Sequence, residues 1–316
     1  MPSNKCAACS PERYLCGTLD RPDAYVAPIS IGNRLKEVAA LFKLRLTSLV
    51  VVSAALGYLM GIAPGAFSWV DLLLLCAAGL MVTGASNALN QVIEVNEDAL
   101  MDRTASRPLV KGSLRRNEAL WLAFGAGAVG TLILWVRFGP LAGTLGFLAL
   151  FTYAALYTPL KKSTPWAVFV GAFPGAVPPM LGYVAATGQF GLGPGLLFAG
   201  QFMWQFPHFW AIAWVIDEDY RKAGFFMLPS RGGRDRSSAF LILLYTLFVI
   251  PVGMLPWVFE LTGTTSMVVA VAAGGLMLYP AYRLFITRDI RWARKLMFAS
   301  FIYLPAVQLT YVLDRL

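Results

Sequence analysis

The sequence predicts an all-α membrane protein whose nine transmembrane helices form a bundle. Of its 316 residues, 58% are hydrophobic and only 14% are charged, which is typical of integral membrane proteins. Nine apolar runs of about 20 residues are each long enough to cross a bilayer. No polar stretch between them could fold separately, so one membrane domain is expected over 41–316. The predicted spans are 41–62, 69–93, 117–136, 140–159, 166–186, 194–215, 238–258, 264–285 and 296–313.

Residues 1–40 are expected to form a polar tail and an interfacial helix before the first span. Prolines and charges scattered through residues 1–30 argue against a cleavable signal sequence. The amphipathic pattern within 28–40 predicts a turn and then a short helix on the membrane surface. Cys6 and Cys9 form a CxxC pair without a second pair or a nearby histidine, so an idle, reduced tail is favoured over a metal or redox site.

The net charge of +9 could indicate a nucleic-acid partner, but the basic residues lie on one side of the membrane. If nine spans alternate, all of them except Arg137 and Arg315 fall on that side. The positive-inside rule then predicts a cytoplasmic N-terminus and an external C-terminus. The charge therefore indicates topology rather than nucleic-acid binding.

Prolines inside the fifth, sixth and seventh spans leave two structures open. A proline frees a carbonyl and kinks a helix, which is tolerated where neighbouring helices or a cavity compensate. The pattern therefore fits either a cavity between these helices or ordinary kinks.

A stripe of oxygen ligands begins at the end of the second predicted span. Asn90, Glu94, Asp98 and Asp102 are four residues apart, so on a helix they would share one face. Such a set suits Mg²⁺, which proteins hold with one or two carboxylates plus phosphates and water. The basic residues that follow can grip phosphate oxygens, and they are Arg103, Arg107 and Lys111. The alternative is a solvated helix end whose acids simply pair with these arginines.

His208, the chain's only histidine, lies in the sixth predicted span. On one continuous helix, Trp204, His208 and Asp219 would project in similar directions. A lone histidine is often a core residue, but aromatic neighbours and an acidic cluster below favour a functional role. An axial contact to a haem iron, a proton relay and an orienting hydrogen bond all remain open.

Two basic pairs lie at membrane edges on the same side. Lys161 and Lys162 follow Tyr157 at the end of the fourth span, and Lys43 and Arg45 begin the first. Each pair is either a topological anchor or part of a diphosphate pocket, and the sequence does not decide between these roles.

These motifs resemble those of the UbiA-type intramembrane prenyltransferases, and their details resemble the branch that acts on haem. The matching blocks are Asn90-x3-Glu94-x3-Asp98, Arg103-Thr104-x2-Arg107-Pro108, Tyr157-Thr158-Pro159-Leu160-Lys161, Gly175-x2-Pro178-Pro179, Trp204-Gln205-x-Pro207-His208-Phe209 and Asp219-Tyr220-x3-Gly224-Phe225. The resemblance implies a nine-helix bundle with a central cavity that opens toward the cytoplasm. It also implies transfer of a farnesyl group from farnesyl diphosphate to a vinyl group of haem B, giving haem O.

The resemblance also implies roles for the candidate residues. Asn90, Glu94 and Asp98 would be catalytic as ligands of a Mg²⁺ cofactor, and His208 would position the haem or guide water. The implied substrate-binding residues are Arg103, Arg107, Lys111, Lys161, Lys162, Lys43, Arg45, Tyr157, Trp204, Asp219 and Tyr220. The implied partners, besides the bilayer and the two substrates, are a haem A synthase or a terminal-oxidase assembly protein.

Two departures from the family pattern stand out. Glu94 replaces the aspartate of the wider superfamily, a change common in the haem branch. Leu44 replaces the proline of a Lys-Pro-Arg block, which predicts that a kink at the first span is lost. The few carboxylates near His208 also argue against a full second Mg²⁺ site.

Functions of other kinds are kept as alternatives. A related enzyme could prenylate a quinone precursor or another aromatic acceptor. A transporter or a non-catalytic haem chaperone would also contain broken helices and intramembrane polar groups. The charged motifs cluster at one membrane face rather than at the midplane, which disfavours a transporter.

Overall fold

The computed structural model describes residues 31–316 of the chain. The predicted tail with Cys6 and Cys9, and the turn at 28–30, lie outside this range. The described residues form helices α1 (Ile31–Leu41), α2 (Leu44–Gly61), α3 (Trp69–Ile93), α4 (Val95–Leu100), α5 (Pro108–Lys111), α6 (Arg116–Phe138), α7 (Pro140–Phe151), α8 (Thr158–Leu160), α9 (Ala167–Thr187), α10 (Leu192–Val215), α11 (Asp217–Lys222), α12 (Arg236–Val258), α13 (Thr264–Thr287) and α14 (Ile290–Leu313). A π-helical turn, Thr152–Tyr157, joins α7 to α8 into one span.

Eight helices in this part of the chain are long and apolar enough to cross a membrane. The ninth long helix, α10, is 24 residues long but less apolar. Its buried polar residues, which face the rest of the bundle, are Gln201, Gln205 and His208. The predicted all-α membrane bundle is confirmed, and the nine predicted runs each correspond to a long helix.

The structure corrects two predictions, one about where the last span begins and one about the chain direction before the first span. The last span begins at Ile290 rather than 296, because the Asp289 side chain accepts the Arg291 amide and caps α14. The predicted loss of the kink at the first span is wrong. Lys43 adopts a left-handed backbone conformation (φ 47°), so the chain breaks between α1 and α2 without a proline.

The bundle depends on close approach between α2 and α9. A Cβ at Gly57 would lie 2.0 Å from the Pro179 carbonyl oxygen, and one at Gly182 would lie 1.8 Å from that of Ala54. Small residues at such contacts let helix backbones approach in a membrane. This contact holds α2, which begins beside the candidate site, against the helix that follows α8.

Candidate active site

The three predicted metal ligands lie together where α3 meets α4. The α-helix is interrupted at Glu94, yet the Glu94 amide still donates to the Asn90 carbonyl (3.0 Å) and the Asp98 amide to the Glu94 carbonyl (2.8 Å). The four-residue spacing therefore survives the break. All three residues are buried, with no more than 4% of their surface exposed. Asp102, the fourth predicted member of the stripe, does not join them; it is exposed and pairs with Lys222 at 2.6 Å.

Three cations converge on these ligands from different elements. Lys161 Nζ lies 2.8 Å from Glu94 Oε1, and both side chains are nearly buried. Arg107, which precedes α5, pairs with Asp98. Lys43 Nζ donates to Asn90 Oδ1 at 3.4 Å. Each of the three predicted metal ligands thus faces one cation. Together the three cations form a cluster of positive charge that suits a polyanion.

The π-helical turn brings Lys161 to this cluster. Pro159 has no N–H for the Ala155 carbonyl, and the helix widens there so that the Thr158 amide and hydroxyl (2.8 Å) both donate to the Tyr153 carbonyl. Tyr157 in the same turn is buried, with its ring centroid 4.6 Å from Lys161 Nζ. Thr158 Oγ1 in turn accepts from Asn90 Nδ2 at 3.3 Å.

The donor set fits a divalent cation. Asp98 Oδ1 is buried and has no hydrogen-bond partner, although Oδ2 of the same carboxylate contacts Arg107. Burial raises the pKa of Asp98, although the Arg107 charge opposes this. Residues 31–316 contain no group of three or more Asp, Glu, His or Cys side chains that could hold a metal. The candidate site here is of another kind, since only two of its three ligands are carboxylates and the third is the Asn90 amide. Two carboxylates and an amide would leave positions for phosphate oxygens and water, as Mg²⁺ prefers.

Burial also affects the cation opposite Glu94. It lowers the pKa of Lys161, although attraction to Glu94 opposes this, and the nearby Arg107 charge lowers it further. An incoming anion would favour the charged form of this lysine. The cationic side of the cluster therefore suits an anion, and its acidic side suits a divalent cation.

A second group at the same end of the bundle orients Arg103. The Asp219 carboxylate accepts from the amides of Asp102 (3.1 Å) and Arg103 (3.3 Å). The Arg103 guanidinium lies over the Tyr220 ring, 5.6 Å from its centroid. Burial alone would raise the pKa of Asp219, but these two amides and the Lys222 ammonium outweigh it and hold the pKa below its usual value. Asp219 and Tyr220 thus hold the loop that carries Arg103.

Besides Arg103, three of the predicted basic residues are not brought to the acidic cluster. Arg45 and Lys111 are exposed, and Lys162 pairs with Glu97 while its side chain is 52% exposed. In each of the two predicted basic pairs, one member faces the acidic cluster and the other does not. Lys43 and Lys161 face the ligands, whereas Arg45 and Lys162 do not.

His208 and Trp204 form a separate group against α14. The Trp204 and His208 rings stack with centroids 4.4 Å apart, and His208 Nδ1 lies 2.8 Å from Ser300 Oγ. Trp204 and His208 both contact Ser300 of α14, whereas Asp219, in α11, accepts from the amides of Asp102 and Arg103, so the three predicted residues do not meet in one group.

Sequence reasoning missed three residues that shape the site. Thr158 contacts Asn90, and Thr104 Oγ1 donates to the Asp98 carbonyl at 2.8 Å. Phe225 is buried, with its ring centroid 5.8 Å from Lys161 Nζ. All three lie within the motifs that resemble the family's, so membership of those motifs is the sequence signal that could have identified them.

Comparison with known proteins then decides the family. Residues 50–303 match the model of the UbiA prenyltransferase family. The chain belongs to this family. It is 46% identical over 286 residues to a protoheme IX farnesyltransferase of Cytophaga hutchinsonii, which covers 90% of this chain and 100% of that protein. It is also 46% identical over 291 residues to the protein of the same name from Christiangramia forsetii, covering 90% of this chain and 94% of that one.

A solved structure supports the same fold. A UbiA homologue from Archaeoglobus fulgidus, bound to GPP and Mg²⁺, superposes with a TM-score of 0.68. The match covers 87% of this chain and 99% of that chain at 14% identity. The UbiA-like helical fold predicted from the motif resemblance is thereby confirmed, and the chain is an integral membrane protein of the UbiA prenyltransferase family.

Proposed function

We propose that this protein transfers a farnesyl group from farnesyl diphosphate to a vinyl group of haem B, forming haem O. The observation that carries the proposal is the buried cluster in which Asn90, Glu94 and Asp98 face Lys43, Lys161 and Arg107. The names of relatives that share 46% identity over nearly the whole chain support haem B as the acceptor.

In this proposal the acidic and basic halves of the cluster act on the diphosphate. Asn90, Glu94 and Asp98 would hold Mg²⁺, which supplies Lewis-acid stabilisation of the leaving diphosphate. Lys161 and Arg107 would exchange part of their pairing with the acids for phosphate oxygens as charge develops there. Arg103, held over Tyr220 by the Asp219 contacts, would reach the same anion from the loop.

The bond changes balance without a redox partner. The C–O bond between the farnesyl group and diphosphate breaks, and the vinyl π-bond of haem B forms the new C–C bond. A water oxygen then adds to the adjacent vinyl carbon and loses a proton. An allylic cation survives only where water is excluded. Tyr157 belongs to a buried hydrophobic cluster that includes Val168 and Ala172 of α9, and this cluster would provide such surroundings.

We also propose that the end of the bundle bearing Glu94 faces the cytoplasm. The basic loops that follow α4, α8, α11 and α13 all lie at that end, as the positive-inside rule requires. Arg137 and Arg315 lie at the opposite end. Cysteine-accessibility labelling of intact cells would test this, with Arg115→Cys expected to be protected and Gln189→Cys labelled; the reverse pattern would contradict the orientation.

Haem O formation in purified protein tests the reaction. Asp98→Asn should lower kcat/KM by about 100-fold, since a Mg²⁺ ligand is worth several kcal/mol in such reactions. The matched control is Asp102→Asn, because Asp102 belongs to the same sequence stripe but is 89% exposed. Near-normal activity of Asp98→Asn, with correct folding, would refute the metal role.

A panel of acceptors separates haem B from the quinone-precursor alternative. With radiolabelled farnesyl diphosphate and Mg²⁺, label should enter haem B and not 4-hydroxybenzoate. Pyrophosphate release that depends on haem distinguishes an enzyme from a transporter or chaperone. Label in 4-hydroxybenzoate alone would overturn the choice of acceptor while leaving prenyl transfer intact.

A further inference from the structure

A cavity of about 310 Å³ lies between α9, α10 and α12, at the end of the bundle that bears Glu94. Its size is at the lower limit of the pockets that hold small ligands, about 300 Å³. None of the residues that line it is a ligand or a cation of the candidate active site. The cavity is therefore a separate feature of the molecule.

The walls of the cavity are mainly aromatic, and the cavity opens on the outer surface of the bundle. Phe206 and Trp210 of α10 form a buried wall, with Tyr245 of α12 beside them. At the outer edge, Trp166 is 70% exposed and Phe169 is 39% exposed. In a membrane-spanning bundle this outer surface meets lipid, so the cavity is accessible from the bilayer.

A row of phenylalanine rings continues from the cavity toward the other end of α10. The Phe169 ring lies 5.6 Å from that of Phe202, which in turn lies 5.0 Å from Phe173 and 5.6 Å from Phe198. From Trp210 to Phe198 the helix rises by about 18 Å. One leaflet of a bilayer contributes about 15 Å of hydrocarbon. This aromatic row therefore matches the length of one acyl chain.

An unpaired cation lies at the mouth of the cavity. Arg231, in the loop before α12, is exposed, and its guanidinium has no ion pair or hydrogen bond within residues 31–316. Two other arginines near it in sequence do have carboxylate partners: Arg221 pairs with Asp217, and Arg234 pairs with Glu218. The charge of Arg231 is thus available to an anion.

Two hydroxyl groups among the lining residues add hydrogen-bonding capacity. The Tyr245 hydroxyl has no hydrogen-bond partner in the part of the chain that the structure describes. Thr164 Oγ1 accepts the Trp166 amide at 3.3 Å, and its own proton is not donated to any described residue. A hydroxyl can donate as well as accept, so both can bind phosphate or ester oxygens.

We propose that this cavity binds an anionic phospholipid, with the lipid phosphate at Arg231 and one acyl chain along the aromatic row. Basic pockets between membrane helices recognise anionic headgroups, and tryptophan and tyrosine favour the membrane–water interface. A lipid bound here would contact α9, α10 and α12 together. Because it would bind only the folded bundle, it would also stabilise it.

Native mass spectrometry of the purified full-length protein in detergent tests the headgroup. Phosphatidylglycerol should bind about tenfold more tightly than phosphatidylcholine with the same acyl chains, because phosphatidylcholine has no net charge. Arg231→Gln should weaken phosphatidylglycerol binding about tenfold, as expected for loss of a charge-assisted hydrogen bond. The matched control is Arg116→Gln, since Arg116 is also exposed at this end and has no ion pair in the described chain; it should change binding less than twofold. Equal affinity for the two lipids, or unchanged binding by Arg231→Gln, would overturn the proposal.

A second variant tests whether the acyl chain enters the cavity. Leu241 lines the cavity from α12, and Leu241→Trp would fill it without changing the charge. This variant should bind phosphatidylglycerol at least tenfold more weakly, while its thermal unfolding midpoint without added lipid shows that it is folded. Unchanged lipid binding by the folded variant would refute the proposed position of the chain.

Glycerol 3-phosphate separates a lipid site from a site for a soluble phosphate. It carries the phosphate without acyl chains, so it should not displace phosphatidylglycerol at millimolar concentration. Displacement that depends on Arg231 would show that the cavity binds soluble phosphates, and the lipid proposal would fail.

Discussion

Removing the charge of Lys161 should lower thermal stability and kcat/KM far more than removing that of the adjacent Lys162. The Lys161–Glu94 pair has side chains only 10% and 5% exposed, whereas Lys162 is 52% exposed in its pair with Glu97. Methionine matches the length of lysine without its charge. Lys161→Met and Lys162→Met therefore form a matched comparison at consecutive positions.

The expected magnitude follows from the geometry. At an effective dielectric constant of about 20, unit charges separated by the observed 2.8 Å attract by about 6 kcal/mol before desolvation is subtracted. Removing one partner of a buried pair typically costs about 3–5 kcal/mol, whereas an exposed pair is worth about 0–1 kcal/mol. If Lys161 also meets the leaving diphosphate, a loss of about 3 kcal/mol corresponds to more than 100-fold in kcat/KM.

Two measurements separate stability from catalysis. Thermal unfolding in detergent should show a lower midpoint for Lys161→Met and little change for Lys162→Met. Haem O formation at a temperature where both are folded should fall at least 100-fold for Lys161→Met and less than threefold for Lys162→Met. Equal activity of the two variants would refute the assignment of Lys161 to the site.

Further substitutions probe the surrounding contacts. Arg107→Gln should raise KM for farnesyl diphosphate and lower kcat/KM by about 100-fold, because it removes a cation beside Asp98; Arg45→Gln, exposed nearby, should change either less than threefold. Asp219→Asn should reduce kcat/KM about tenfold, since hydrogen bonds to a charged group contribute about 1.5–3 kcal/mol and here hold the Arg103 loop; an unchanged value would separate that loop from catalysis. Chelation of divalent ions by EDTA should abolish pyrophosphate release and added Mg²⁺ should restore it, and activity that persists after chelation would exclude a metal requirement.

The acidic cluster could be predicted from sequence because its spacing reflects backbone hydrogen bonds. Asn90, Glu94 and Asp98 remain neighbours since each four-residue bond persists through the interruption at Glu94. Asp102 falls off the face because α4 ends at Leu100. The apolar pattern does not mark the end of α3 or the end of α4, so the predicted stripe included one residue too many, Asp102.

Contacts made just after a span were harder to predict than the spans themselves. Hydropathy places α10 but does not signal that Asp219, in α11, contacts the 102–103 loop rather than the group around His208. Likewise, consecutive residues at a helix end project about 100° apart. The sequence therefore could not choose between Lys161 and Lys162, and the structure shows that Lys161, which follows the π-helical turn and α8, is the one that faces Glu94.

The modest hydropathy of α10 has a consequence for how the protein is made. A translocating machinery that reads one segment at a time favours apolar helices and disfavours polar residues near the helix centre. Gln201, Gln205 and His208 all lie within α10, while the preceding α9 is long and apolar enough to cross a membrane. Only residues 188–191 separate the two helices, which pack against each other. We expect α10 to enter the bilayer as a hairpin with α9, so that defects in α9 would appear first as failed biogenesis and only secondarily as lost activity.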